Sequence, residues 1–344
     1  MITIRRAIRE DIPDIMSFMD KHWKPGNILA KDRNFFEWQF LDGDKVNMFL
    51  GVDGESGKIY GILGVIIYNQ SDNPDVASCT WQVIKSSNPI LGLELQEYMC
   101  GNLNVRYGCG AGLSEKSVRI NELLGARITV MDHYYRLADR TDYKIAIVHD
   151  KIIPKVDETD YALEQISSVE EMRQVVSDER LASCVLSKDY TYIERRYFNH
   201  PVYDYHIWKI VDRGGKSRSV LMTREEVMQD RKICKIVDYY GDPEDFIYIT
   251  PAIDKLMRER GYEFTDIYSF GIPVDIYERA GFCRCSGNCT NIIPNYFHPF
   301  EQKNIDLKMI EYELPGLKLF RGDGDQDRPC FPDQTKTYQT CQEL

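Results

Sequence analysis

The chain has 344 residues, 43% of them hydrophobic, with 22 tyrosines, ten cysteines and a formal net charge of −11. At about 150 residues per domain this length predicts two domains, each able to bury a core. The acidic balance argues against a nucleic-acid binder, which needs a basic face for phosphates. Residues 1–6 carry no apolar signal core, and the longest apolar run, 61–68, is far too short to span a bilayer. A cytoplasmic protein without membrane insertion is expected.

Residues 3–7 read as a strand, and Asp11 caps a helix to His22 with Ile12, Ile15 and Phe18 on its apolar side. A second helical stretch covers 33–40. Strands over 48–52 and 60–68 form a hairpin through Gly54 and Gly57. A strand over 76–84 leads, past Pro89 and Gly92, into a helix through Met99. Residues 104–109 read as a strand, 114–124 as a helix ended by Gly125, and 126–137 as the strand that closes the first unit. A connector over 148–160 mixes charge with Pro154 and lacks period.

The same order then recurs. Residues 161–166 read as a strand, and Ser167 with Glu170 forms a capping box. A helical stretch over 188–198 stops at Pro201. A hairpin joins 205–211 to 217–221, and 233–239 is a strand. A helix over 246–260 ends at Gly261, a strand covers 264–270, and a helix over 273–280 ends at Gly281. Matching landmarks are offset by about 156 to 159 residues, which favours duplication of one plan. The expected division is 1–147, 161–306 and a tail, 307–344, with one strand over 307–312.

The cysteines read as reduced thiols, with Cys79, Cys109 and Cys234 in strand cores. Cys283, Cys285, Cys289 and His298 cluster, yet lack the C-x2-C knuckle of a zinc site, so no metal is expected. Charge runs such as Arg224 to Glu226 read as solvated faces.

The strand, helices, hairpin, strand, helix, strand, helix, strand order resembles the GNAT acyltransferase superfamily. The fold class expected is therefore α/β (α+β): two tandem GNAT-like domains, each a mixed, mostly antiparallel sheet flanked by helices. Tyr277-Glu278-Arg279-Ala280-Gly281-Phe282 is similar to the Y-x-x-x-G-F end of that fold, whose Tyr faces the sulfur of coenzyme A and protonates the leaving thiolate. The corresponding place in the first unit holds Asn121. The superfamily's Gly-rich loop, which receives the CoA pyrophosphate at a helix start, corresponds to Ser86-Ser87-Asn88-Pro89-Ile90-Leu91-Gly92 in the first unit. In the second it corresponds to Tyr240-Gly241-Asp242-Pro243-Glu244-Asp245, whose acidic residues repel a pyrophosphate. The resemblance thus places CoA in the first unit, on Gln82, Val83, Ile84, Asn88, Pro89, Leu91 and Gly92.

The whole chain also resembles tandem-GNAT proteins of bacterial surface-polysaccharide gene clusters. The segments that carry this are 22–29 (HWKPGNIL), 35–40 (FFEWQF), 132–137 (DHYYRL), 196–203 (RYFNHPVY) and 322–329 (GDGDQDRP). Family members commonly have Asn after that last Pro, where this chain has Cys330. The resemblance implies acyl transfer from acyl-CoA to the amine of a nucleotide-linked, dTDP-type amino-deoxy sugar for O-antigen or capsule synthesis.

Amide formation from a thioester needs a neutral amine, a polarised carbonyl and a proton for the thiolate. Backbone N–H groups between the splayed strands of residues 81–84 and 106–109 are candidates for the oxyanion donor. His22, Glu37 and His133 are candidates for the base, and Tyr277 for the acid. Trp23, Trp38, Tyr134 and Tyr135 are candidates to line the acceptor pocket with His22. In the tail, Arg328 suits a phosphate, and Asp325 and Asp327 suit sugar hydroxyls or a folded turn. A calcium loop is disfavoured because Arg328 stands where that loop needs Gly. Two readings stay open beside this one: a FemABX-like aminoacyl or peptidyl transferase using aminoacyl-tRNA, and a catalytically inactive GNAT-like binding protein.

Overall fold

The computed structural model describes residues 1–332 except 124, 286, 288 and 312. The expected helix end at Leu124, the strand end at Tyr312 and the tail from 333 onward lie outside the described residues. The chain divides into two compact units. One holds Met1–Gly110, Leu186–Tyr192 and the described residues from Arg328; the other holds Ala111–Val185 and Ile193–Asp327.

The first unit begins with β1 (Ile2–Ile8) and α1 (Ile12–His22). Ile12, Ile15, Phe18 and Met19 recur at helical spacing and form the buried stripe of α1. Asp11 does not cap that helix with its side chain; its carboxylate accepts from Arg5 at 2.6 Å and from the Ile8 amide at 2.8 Å. Next come α2 (Ile28–Lys31) and α3 (Arg33–Phe40), capped by the side chains of Asn27 and Asp32. β2 (Leu41–Asp42), β3 (Lys45–Asp53), β4 (Ile59–Ile67), β5 (Val76–Val83), α4 (Leu91–Leu103) and β6 (Gly108–Cys109) complete it. The sheet runs β1-β3-β4-β5-β6, with β2 also on β3, and only β5–β6 is parallel. Two glycines let α4 press against the sheet: a Cβ at Gly51 would lie 2.7 Å from Leu91 Cδ1, and one at Gly61 2.9 Å from Leu95 Cδ1. The strand expected over 104–109 is cut to two residues. Asn104 takes a left-handed φ of 52° that closes α4, and Asp75 holds the Arg106 guanidinium at 2.8 Å.

The second unit contains α5 (Glu115–Leu123), β7 (Ile128–Val130), β8 (Asp132–Leu137), β9 (Ala162–Ile166), α6 (Val169–Val175) and α7 (Asp178–Ala182). After α8 (Tyr190–Ile193), of which only Ile193 belongs to this unit, the helix expected to 198 continues as a π-helical turn, Glu194–Phe198. Then follow β10 (Tyr205–Val211), β11 (Ser217–Met228), β12 (Arg231–Tyr240), α9 (Thr250–Arg260), β13 (Tyr262–Phe270), α10 (Val274–Arg279), β14 (Cys283–Arg284), β15 (Lys308–Ile310) and β16 (Leu319–Phe320). The sheet runs β14-β8-β13-β12-β11-β10-β9, with β16 also on β13, and its parallel pair is β12–β13. The two units thus repeat one plan: an antiparallel three-strand meander, a helix, and a parallel strand.

Three further local expectations shift. The segment 126–137, expected as one strand closing the first unit, breaks at Met131. Its second part, β8, pairs with β13 from Phe264↔Leu137 to Ser269↔Asp132. His133 to Leu137 are all buried, so this stretch needs neighbours on both edges, and β13 and β14 supply them. The cap of α6 is Ser168, whose hydroxyl accepts from the Glu171 amide, while Glu171 reaches back to the Ser167 amide. Arg224 and Glu226 are not a solvated face: both are buried and paired with each other at 2.7 Å.

Candidate functional site

β5 is bent by one residue. Its pairing with β4 goes from Ile62↔Gln82 to Gly64↔Cys79, so Thr80 and Trp81 oppose Leu63. Thr80 sits at φ 45°, which a β-branched residue rarely adopts. Gly64 makes room for it, because a Cβ there would overlap Thr80 Oγ1. On the opposite edge β6 covers only Val76 and Ala77. From Ser78 to Val83, among the described residues, no strand lies beside that edge.

The chain leaves β5 through a loop organised by Asn88. Its side chain accepts from the Ile90 amide at 3.1 Å and donates to Glu94 at 2.6 Å. The first residue before α4, Ile90, offers no side-chain cap. The Leu93 and Glu94 amides fold back to the Ile90 carbonyl. The Leu91 and Gly92 amides have no acceptor among the described residues, as first-turn amides commonly lack one. Gly92 stands against the Trp81 indole, 3.2 Å from a Cβ built on it, and Trp81 Nε1 is buried without a hydrogen-bond partner among the described residues. An open strand edge, a glycine and uncapped amides at the start of a 13-residue helix make an anion-accepting cradle next to a free backbone ladder. Gln82, Val83, Ile84, Asn88, Pro89, Leu91 and Gly92 all lie along this one path. The Leu91 side chain is buried, so only its backbone is available there.

The second unit has the equivalent gap, and it is filled. β12 and β13 pair in parallel from Lys232↔Tyr262 to Ile236↔Ile267. Beyond that, β16 and the residues after it enter between them: the Arg321 amide donates to Tyr268 O at 3.1 Å and the Gly322 amide to Val237 O at 2.7 Å. Gly322 is needed, since a Cβ would strike Tyr197 Oη and lie 2.9 Å from Val237 O. Asp327 anchors this segment, accepting from Arg224 at 2.7 Å and Tyr205 Oη at 2.7 Å. Burial pushes its carboxyl up, but Arg224, with Arg321 and Arg196, holds it well below the usual range.

The other candidate residues separate by unit. In the first, the 22–29 segment meets the end of the tail: the Arg328 guanidinium lies 5.2 Å from the Trp23 ring centre and donates to Asn27 Oδ1 at 3.1 Å, and the Ile28 amide donates to Cys330 O. Two motifs about three hundred positions apart in the chain are thereby joined. His22 packs on Phe18, and burial with Lys21 and Lys58 pushes its pKa down. Glu37 is bound by Arg33 at 2.7 Å and Arg9 at 3.6 Å, and Trp38 packs against Phe35.

In the second unit, His133 is buried on β8, bonded through Nε2 to Asp266 at 3.0 Å and stacked on Tyr268; burial lowers its pKa. Tyr134 faces the opposite side of β8 and stacks on Tyr277, with ring centres 4.3 Å apart. The Tyr277 hydroxyl bonds Ser269 Oγ at 2.7 Å, and burial pushes its phenol far above the ordinary value. Tyr135 Oη accepts from Asn291 at 2.9 Å. Asp325 is half-buried. Cys283, Cys285 and Cys289 point to Ile152 O, Asn304 and Asn291 O respectively. Among the described residues, no group of three or more His, Cys, Asp or Glu side chains is arranged to hold a metal.

The fold is that of the GCN5-related N-acetyltransferases, in two tandem copies. A GCN5-related N-acetyltransferase from Anabaena variabilis superposes with a TM-score of 0.56 at 10% identity, covering 90% of this chain and 72% of its own. A conserved Enterococcus faecalis protein, a "Probable N-Acyltransferase", superposes with a TM-score of 0.56 at 10% identity, covering 83% of this chain and 70% of its own. No protein-family model matches the sequence. A search of curated proteins gives no match either.

Proposed function

We propose that the chain is an acyl-CoA-dependent N-acyltransferase whose donor lies along the open edge of β5. The observation that carries this reading is the contrast between two copies of one fold. In the first, the gap beside the bulged strand is open and leads to uncapped amides at α4. In the second, the chain's own Arg321 and Gly322 occupy it. The residues present fit coenzyme A: Leu91 and Gly92 would hold its pyrophosphate, and the backbone from Ser78 to Val83 its amide-bearing arm.

When bound, the donor supplies an activated acyl group. The amine nitrogen of the acceptor forms a bond to the thioester carbon as the C–S bond breaks, and a proton passes from nitrogen to sulfur. The chain's part is to offer backbone amides of β5, whose outer edge no strand covers past Ala77 among the described residues, to the carbonyl oxygen where negative charge develops. Of the candidate acids and bases, Tyr277 and His133 are already hydrogen-bonded in the interior of the second unit, and Glu37 is ion-paired. A water relay to the amine is the assignment that asks least of these groups.

For the acceptor we propose an amino-deoxy sugar linked to a nucleotide of the dTDP type. Support comes from the meeting of Trp23, Asn27 and Arg328, which sets an aromatic face beside a guanidinium, as recognition of a base or sugar next to phosphate requires. The test is mass spectrometry of reactions containing a panel of acyl-CoAs and nucleotide amino sugars, with thermal stabilisation by CoA measured alongside. An acylated nucleotide sugar is expected. CoA that neither stabilises the protein nor is consumed refutes the donor reading; acylation of some other amine refutes only the acceptor.

A further inference from the structure

The second unit's sheet has a charged face that this reaction does not use. Lys235 on β12 is in register with Asp266 on β13 and Arg224 on β11. All three are buried, Lys235 and Asp266 at 0% and 1% exposure. Covering them are Phe297, whose ring centre is 4.9 Å from Lys235 Nζ, and Arg321, whose guanidinium lies over Tyr268. Buried charges of this density do not stabilise a fold better than apolar residues would; holding the returning segment accounts for Arg224, but not for Lys235 and Asp266.

The hydrogen bonds in this cluster are incomplete in a defined pattern. Glu226 is held by Arg224 and by His298 Nε2 at 3.4 Å, and Asp327 by Arg224 and Tyr205. Lys235 Nζ, by contrast, makes no hydrogen bond among the described residues; its nearest carboxylate oxygen, Asp266 Oδ2, is 3.6 Å away and already bonded to His133. Arg321 bonds Asn295 through its terminal nitrogens, and its Nε makes no hydrogen bond among the described residues; the carboxylate oxygen paired with it, Asp327 Oδ1, is 3.6 Å away. Asp266 Oδ1 and His298 Nδ1 are also without partners. After burial, the neighbouring Arg321 is the largest cause that pulls Lys235 down, to about 8, so the amine is still mostly charged at neutral pH. Lys235 Nζ and Arg321 Nε thus each lack a hydrogen bond and stand 3.6 Å from a carboxylate oxygen, beside an Asp266 Oδ1 that also lacks one.

We propose that this cluster binds a protonated oxyanion of the phosphate class, whose bare oxygens accept from Lys235 Nζ and Arg321 Nε and whose P–OH donates to Asp266 Oδ1. His298, paired with Glu226, is partly exposed at 15%. The anion offsets the Lys235–Arg321 repulsion, which a single water molecule does not. Sulfate has the same shape and no proton, and so leaves Asp266 facing an oxygen without a hydrogen between them. The inference goes beyond the donor reading and does not rest on it: a chain that ignores CoA but takes phosphate loses only the former.

The test is calorimetric titration of the full chain with inorganic phosphate and with sulfate, in about 0.1 M salt, at about pH 6, where a phosphate monoester keeps half its P–OH. Phosphate should bind about tenfold tighter than sulfate, the worth of one charge-assisted hydrogen bond. Lys235→Met, an apolar residue of similar length, should abolish binding of both. Asp266→Asn, whose amide can donate, should bring the phosphate-to-sulfate ratio close to one, and it keeps the test decisive if Lys235→Met does not fold. Competition by glucose 1-phosphate would assign the site to an esterified phosphate, and its absence to the free anion; either supports the class. Equal affinity for phosphate and sulfate, or no uptake of either, overturns it and leaves ordered water as the occupant.

Discussion

Replacing Gly64 by alanine tests whether the bulge in β5 is what opens the strand. The new methyl would overlap Thr80 Oγ1, and Phe40 Cε1 at 3.1 Å and Met48 Cε at 3.2 Å close the remaining sides. Thr80 has little freedom to yield, because it is β-branched and already at φ 45°. Overpacking of this kind costs about 1–3 kcal/mol, and moving the bulge should also weaken CoA binding, since Trp81 to Val83 follow it. Thr80→Gly removes both the clash and the backbone strain, itself worth about 1–3 kcal/mol. The double variant should therefore recover most of the stability, with a coupling energy of about 1 kcal/mol or more. Denaturant unfolding of the four proteins gives the cycle, and calorimetric titration with CoA gives the affinities. Strictly additive stabilities, or CoA affinity unchanged in Gly64→Ala, would show that the bulge does not organise the donor site.

Gly92→Asp puts a carboxylate at the α4 amides and a side chain against the Trp81 indole, so CoA affinity should fall about tenfold or more; Tyr277→Phe should leave CoA affinity unchanged, and the reverse outcome would move the donor to the second unit. Asp327→Ala strands the buried Arg224 without its main anion, and should lower unfolding stability by about 3–5 kcal/mol. Asp266, facing Lys235, His133 and Arg321, has its pKa depressed to about 2. It therefore contributes stability that is full above its unfolded value near 4 and is lost as pH falls from there through about 2. Acid titration of wild type against Asp266→Asn should diverge in that window and run parallel above it.

The plan of the fold was legible because it rests on local pattern. The helical stripe of α1, the Gly54–Gly57 hairpin and the glycines after α9 and α10 carry their own physics, and the structure keeps them within a few residues. The partner of β8 was not legible. Asp132–Leu137 reads as a strand wherever it goes, and no local rule says that it pairs with residues 264–269. The same limit hid the charged face. Arg224, Glu225 and Glu226 form a charge run of the kind a solvated face carries, and Tyr203 together with the chain returning at 295–298 and 321–327 covers Arg224 and Glu226. A usable signal did exist: Lys235 interrupts the apolar run Ile233-Cys234-Lys235-Ile236-Val237, and Asp266 lies within Phe264 to Tyr268. A charge inside an otherwise buried strand calls for a partner. At the candidate donor site, the loop around Gly92 was readable as a helix start, whereas the positive φ of Thr80 depends on Gly64 across the sheet and has no sequence signature of its own.

The fold holds two copies of one plan, and in the second the segment returning at 319–327 fills the gap beside the parallel pair. In an isolated copy, the parallel pair must diverge, leaving backbone amides and carbonyls that water or a ligand has to satisfy. Between β12 and β13 the chain satisfies them itself, with Arg321 and Gly322 bonded one to each side. That solution requires a residue without a side chain at 322, where Tyr197 and Val237 leave no room. It also requires charges that hold the segment in register, which Asp327 provides through Arg224 and Tyr205. If the second gap were still a cofactor site, neither feature would be needed. Gly322→Val is accordingly expected to loosen the segment, expose it to proteolysis and lower stability by about 1–3 kcal/mol, while the number of CoA molecules bound per chain stays at one. A second equivalent of CoA taken up by that variant would mean that the filled gap keeps a working cofactor site beneath its strand, and that the division between an open copy and a closed one is only a matter of occupancy.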